Sequence, residues 1–233
     1  MVTLWVFGDN SSSIFGETIE RRYLHYKNYR KGTFPKSWSE LLSEKLKVKL
    51  RNLAISGQTN YDIFDWFCKY CQNIKKNDIV IIGWSPIINF RLIDDYQKKF
   101  VSIRDTATNW NTNRKEFLKG ISTQTIEEIL NNRNQEDWID EVYTWENLIY
   151  YISTIVGFKV YFWSFDVRLN KKNYIGGNTE NFRNHLISIG AEDITNETSK
   201  TLIDSHFGEK GQLIQSEYFY NHIKNENTNI HNA

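Results

Sequence analysis

The chain has 233 residues, with 29 Lys and Arg against 28 Asp and Glu, a formal net charge of +1 at pH 7. That length suffices for one domain with a full core, and charges so nearly cancelled supply no field for binding a nucleic acid. No apolar run approaches the length of a membrane span, and the first residues lack the basic n-region of a signal peptide. A cytoplasmic or virion-associated protein with no membrane partner is therefore expected.

"TLWVFG" (3–8) opens the chain as a continuous apolar run, rich in β-branched and aromatic residues. Such runs are how strands buried on both faces of a parallel sheet read. "DIVIIGW" (78–84) and "FKVYFWSF" (158–165) repeat the pattern, and "RNLAIS" (51–56) is a weaker case. The basic "KLKVKLR" (45–51) reads as a solvated helix end leading into that strand.

Helical patterns lie between these runs. "SWSELLSEKLKV" has Ser37 as N-cap and Glu40 three residues on, a capping-box spacing. "TNYDIFDWFCKYCQNI" starts at Thr59 or Asn60, "DWIDEVYTWENLIYYISTIV" carries a long apolar stripe, and "GEKGQLIQSEYFYNHI" closes the fold. Alternating strand and helix predicts an α/β fold with helices on both faces of the sheet.

The two cysteines, Cys68 and Cys71, fall inside a helical pattern, and no second Cys or His pair complements them. They are expected as core-facing thiols in mid-helix rather than a redox or zinc pair. The region 86–137 is polar and is expected to be a helical insertion over the strand ends. A second insertion is expected at about 168–200, and the tail "KNENTNIHNA" to be disordered, with 226–233 outside the domain. Fifteen per cent of the residues are aromatic, which suits a ring-rich core or a sugar-stacking surface. Trp5 and Trp163 lie in apolar runs and Trp66 in a helical one, which suits the core, while Trp84 and Trp110 stay open.

In such sheets ligands sit beyond the carboxyl ends of the strands. Three small polar stretches fall there: "GDNSSS" after the first strand, "SGQTN" after the second and "GWSP" after the third. A fourth, "DSHFGEKGQ" (204–212), precedes the last helix. No G-x-G-x-x-G or Walker-type phosphate loop is present, and neither a cofactor nor a metal is expected.

The order of these four blocks resembles that of the SGNH, or GDSL-like, hydrolases, most of all the form carried by phages. The resemblance implies a flavodoxin-like three-layer α/β/α fold with about five parallel strands in the order 2-1-3-4-5. It implies one such domain over 1–225 and hydrolysis of acyl esters, including O-acetylated carbohydrate. The first block, normally Gly-Asp-Ser, appears as Gly8-Asp9-Asn10, so Asn10 stands at the nucleophile position. His206 is implied as the base, and Asp204 as the acid that orients it. Asp204 and His206 stand one residue closer than in the usual pattern, which leaves a backbone carbonyl as the alternative partner for the ring. The N–H groups of Asn10 and Gly57, with the Ser85 side chain, are implied as oxyanion donors. Asp9, Ser11 and Trp84 are implied as substrate contacts.

An amide nitrogen is delocalised into its carbonyl and cannot be activated by an imidazole as a hydroxyl can. Asn10 is then an engineered inactivation, a natural loss, or a sign that Ser11 has taken over. Ser11, Ser12 and Ser13 read more simply as the N-cap and first turn of a helix. The readings that stand are an ester hydrolase with its nucleophile position altered, acting on a small acylated or carbohydrate substrate, or a noncatalytic binding or structural module such as a phage-particle component. A homo-oligomer is left open by both.

Overall fold

Successive residues of a strand point to opposite faces, so a strand apolar at every position needs a covering layer on each side. In the computed structural model, which describes residues 1–15, 21–86, 90–94, 99–103, 132, 135–169 and 171–230, the first apolar run is β1 (Thr3–Gly8). Its Leu4, Trp5, Val6 and Phe7 are all 2% exposed or less. Burying each such side chain contributes about 1.5–3 kcal/mol.

Downstream come β2 (Lys49–Asn52) and β3 (Ile79–Trp84), the antiparallel pair β4 (Phe90–Asp94) and β5 (Lys99–Ile103), and β6 (Lys159–Ser164). The main sheet is parallel throughout in the order β2-β1-β3-β6. Four strands therefore form it among the described residues, where about five were expected. The helices are α1 (Arg21–Tyr29), α2 (Trp38–Leu46), α3 (Asn60–Tyr70), α4 (Gln135–Val156), α5 (Phe182–Ser188), α6 (Ile194–Glu197) and α7 (Glu209–Ile230).

The two faces divide the core by strand parity. Trp5 and Phe7 of β1, Val80 and Ile82 of β3 and Phe162 of β6 pack with Ile63 and Phe67 of α3 and Val142 and Ile149 of α4. Leu4, Val6, Ile81, Tyr161 and Trp163 face the other way, onto Trp38 and Leu42 of α2, Phe182 of α5 and Phe219 of α7. This is the three-layer α/β/α arrangement that the continuous apolar runs require.

Both helix starts form as the sequence predicts. Ser37 Oγ accepts the Glu40 N–H while the Glu40 carboxylate accepts the Ser37 N–H, and Thr59 and Asp62 repeat the reciprocal pair. Lys47, at φ 56°, ends α2 in the left-handed conformation. The basic run 45–51 is thus a helix end followed directly by β2, which begins earlier than "RNLAIS" suggested. β2 is an edge strand that alternates between exposed and half-buried positions, so its own apolar signal is weak. The residues after it continue along β1, the N–H groups of Leu53 and Ile55 donating to the carbonyls of Val6 (2.8 Å) and Gly8 (3.0 Å).

Other expectations are corrected. Within 86–137 the described residues include the antiparallel strands β4 and β5 and the start of α4, not helix alone; the remainder, Trp110 included, lies outside the described residues. The tail is helical through Ile230 as the end of α7, because a helix nucleated on the core propagates cheaply into polar sequence. Cys71 packs against the core as expected but is half-buried, while Cys68 is exposed; both lie at the end of α3 rather than its middle, where Ile63 and Phe67 occupy the buried face. Trp5 and Trp163 are core residues, and Trp66, half-buried, packs on the core from its edge and stacks on Tyr70 beneath Lys69.

Candidate active site

The loop after β1 is a tight turn. The Asp9 carboxylate accepts the Ser11 N–H (2.9 Å), and its carbonyl accepts the Ser12 N–H (3.0 Å), so Asp9 holds the turn. Two donors fix the loop from beneath: Trp38 Nε1 bonds the Ser11 carbonyl (3.0 Å), and Asn52 Nδ2 bonds the Ser12 carbonyl (2.7 Å). Ser12 is fully buried, and a Cβ at either Gly8 or Gly83 would collide with its hydroxyl. Glycine is needed in the first and third blocks because this turn folds down over both strand ends. Ser11–Ser13 belong to this turn, and the first described helix starts only at Arg21.

The second half of the site comes from the segment before α7. There α6 and the stretch 204–207 are laced together. The Thr195 N–H donates to the Asp204 carbonyl (3.0 Å), the Asp204 N–H to Thr195 Oγ1 (2.8 Å), and the Ile194 N–H to the His206 carbonyl (2.8 Å). Part of the expected insertion at 168–200 therefore holds the histidine loop.

Asp204 Oδ1 accepts the His206 backbone N–H at 2.8 Å and lies 2.5 Å from His206 Nδ1. This is an Asx turn: bending the chain over two residues brings the ring back onto the carboxylate, so the short spacing delivers the contact. With Nδ1 carrying the proton, Nε2 is an acceptor, and the side-chain amide of Asn10 donates to it. Asp204, His206 and Asn10 form one connected line, with Asp204 buried and His206 18% exposed at its side chain.

Arg183 of α5 secures the residues on either side of the histidine. It donates to the Ser205 carbonyl, lies 4.7 Å from the Phe207 ring centroid and 3.6 Å from Asp193. Burial holds the Arg183 guanidinium below its ordinary value, with Asp193 and Asp204 pulling the other way. Gln212 of α7 accepts the Trp38 N–H (2.7 Å) and donates to the Phe207 carbonyl (3.1 Å), joining the histidine loop to α2.

Asn10, Ser11 and His206 open on one small pocket of about 20 Å³, room for a water-sized group, walled by Phe15, Phe165, Phe207, Arg183 and Gln215. Five of the expected site residues do not line it: Asp9 and Asp204, placed above, and Gly57, Ser85 and Trp84. Gly57 sits at φ +92°, a conformation that favours glycine, in the turn beyond β2. Ser85 is fully buried, its N–H and carbonyl both clasped by Asn60 (2.7 and 2.9 Å). Trp84 is 3% exposed, stacked on Phe162 and donating to Glu146 (3.0 Å), so it is a core residue.

Sequence reading missed Arg183, Asn52, Thr195, Gln212 and Gln215. A signal existed for the last two. They occupy the same stripe of α7 as Phe219 and Ile223, and an amide on an apolar face is unusual enough to mark a site. Among the described residues no cluster of His, Cys, Asp or Glu is gathered for a metal, and no helix is long and apolar enough to cross a membrane.

No known family model and no curated protein matches the chain. Among solved structures, it is similar to a G-D-S-L family protein from Desulfitobacterium hafniense DCB-2 at 12% identity and TM-score 0.34, over 95% of this chain and 99% of that one. The acetyl xylan esterase AlAXEase is 12% identical at TM-score 0.33, over 94% and 98% of the two chains. A lipase/acylhydrolase from Enterococcus faecalis is 12% identical at TM-score 0.36, over 97% of each. Likeness this slight leaves the fold resting on the chain's own strand order and packing, and the function on its site.

Proposed function

We propose that the chain is an SGNH-type ester-hydrolase scaffold whose nucleophile position is filled by Asn10. The observation that carries this reading is the line from Asp204 through the His206 ring to side chain 10. It is the arrangement that acyl transfer requires: a carboxylate sets the tautomer, the imidazole takes a proton, and a hydroxyl attacks. A serine Oγ at position 10 stands about where Asn10 Cγ does, one bond further from the ring, and a small movement of the loop closes the gap. The backbone N–H of residue 10 is the proposed oxyanion donor, such a donor being worth about 3–4 kcal/mol in the transition state. The substrate class is an acyl ester, O-acetylated carbohydrate included.

With Asn10 in place the chain binds such an ester and turns it over poorly. Loss of a triad nucleophile leaves about 10³- to 10⁴-fold catalysis over water, from the remaining donors and binding. The deciding test is hydrolysis of p-nitrophenyl acetate by the Asn10→Ser protein. An increase that His206→Ala abolishes supports the reading; a folded Asn10→Ser protein no faster than its parent removes it.

A second reading, a noncatalytic binding module such as a phage-particle component, is favoured by one observation. The Asn10 amide occupies His206 Nε2, the nitrogen that must accept a nucleophile's proton, with a group that cannot be activated as one. A pull-down or glycan array with the unmodified chain tests it, and finding neither ligand nor partner counts against it.

A further inference from the structure

Gln215 is 1% exposed, and neither its amide nitrogen nor its amide oxygen has a hydrogen-bond partner among the described residues. Buried amides are almost always paired, and this one lies on the wall of the pocket that holds Asn10 and His206. Its neighbour one turn earlier, Gln212, has both ends occupied. Two other polar groups of the pocket are committed as well: Ser13 Oγ donates to the Asn10 carbonyl (3.0 Å), and Arg183 donates to Ser205 and faces Asp193.

The charge around Gln215 decides what it can receive. One guanidinium, Arg183, faces two carboxylates, Asp193 at 3.6 Å and the buried Asp204. An anionic substituent gains nothing from a cation so compensated and meets repulsion from Asp204. An apolar substituent leaves both ends of the amide unpaired. A neutral group that donates and accepts satisfies it completely.

We propose that Gln215 is the specificity-determining residue of this pocket, its carboxamide holding a neutral hydroxyl or acylamino group of the substrate beside the scissile ester. This rests on the ester-hydrolase reading above and narrows it to neutral, sugar-like or amide-bearing esters.

The test has two parts. In the unmodified chain, the Gln215 side-chain NH₂ resonance, identified by its loss in Gln215→Leu, is followed during titration with four esters. These are glycerol monoacetate, N,O-diacetylethanolamine, butyl acetate and acetoxyacetate. Movement with the first marks the hydroxyl and with the second the acylamino group, and the two apolar or anionic esters are expected to leave the resonance in place. In the Asn10→Ser protein, the kcat/KM ratio of the better neutral ester to butyl acetate is expected to fall about tenfold on Gln215→Leu, the effect of one neutral hydrogen bond.

A resonance that moves with none of the esters, or equally with butyl acetate, overturns the proposal, since an enclosed water then serves the amide. An unchanged kcat/KM ratio overturns it too. If Asn10→Ser is inert while the resonance still moves, the hydrolase reading fails and Gln215 stands as a binding residue. An active Asn10→Ser protein with no discrimination leaves hydrolysis standing and removes Gln215.

Discussion

The amide of Asn10 donates to Nε2 of His206, joining side chains 196 positions apart in the chain. The contact copies the hydrogen bond that a serine hydroxyl would donate to the ring, but the amide nitrogen's lone pair is delocalised into its carbonyl and cannot attack. We expect Asn10→Ser to raise p-nitrophenyl acetate hydrolysis by about 10³-fold or more, a large part of what a triad nucleophile supplies. Asn10→Ala removes the donor without adding a hydroxyl and is expected to stay at the parent's rate in the same assay.

Asp204 acts through the ring. In the Asn10→Ser protein, Asp204→Asn is expected to lower kcat by about 10³- to 10⁴-fold by favouring the wrong tautomer. An imidazole proton signal that shifts by NMR with the fold intact separates this effect from unfolding.

Asn52 holds the Asn10 loop from outside the pocket. It donates to the Ser12 carbonyl and Ser39 Oγ and accepts the Ala54 N–H, at 2.7, 2.9 and 2.9 Å. Asn52→Ala strands these groups at the strand end and is expected to cost about 2–3 kcal/mol, read as a lower urea midpoint at unchanged m-value.

Glu146 gives a pH signature. It is 2% exposed, and burial raises its pKa above the ordinary carboxylate value, although Lys171 and Trp84 both favour the charged form. A carboxyl raised in the folded state contributes stability that is fully present below its unfolded pKa and is lost as pH rises through the folded one. Relative to Glu146→Gln, the wild-type urea midpoint is therefore expected to fall as pH increases above about 4.3, the ordinary glutamate value. A rising difference over that window contradicts the assignment.

Much of this was legible in one dimension. Capping boxes at Ser37 and Thr59 involve residues three apart, and the apolar runs at 3–8, 78–84 and 158–165 report burial by composition alone. β2 was harder to place, because an edge strand carries little apolar signal of its own. Trp84 misled because its position at the end of a strand resembles a ligand site, while its ring turns into the core against Phe162.

The sequence by itself determined the layered α/β plan, the helix starts and the order of the four polar blocks, since each depends on neighbours within a few residues. Only the tertiary structure decided that Asn10 meets His206, that Arg183 and Gln215 wall the pocket, and that Ser85 does not line it. Those contacts join segments brought together by strand order and helix packing, and local residue patterns carry no record of which distant side chains will share a cavity.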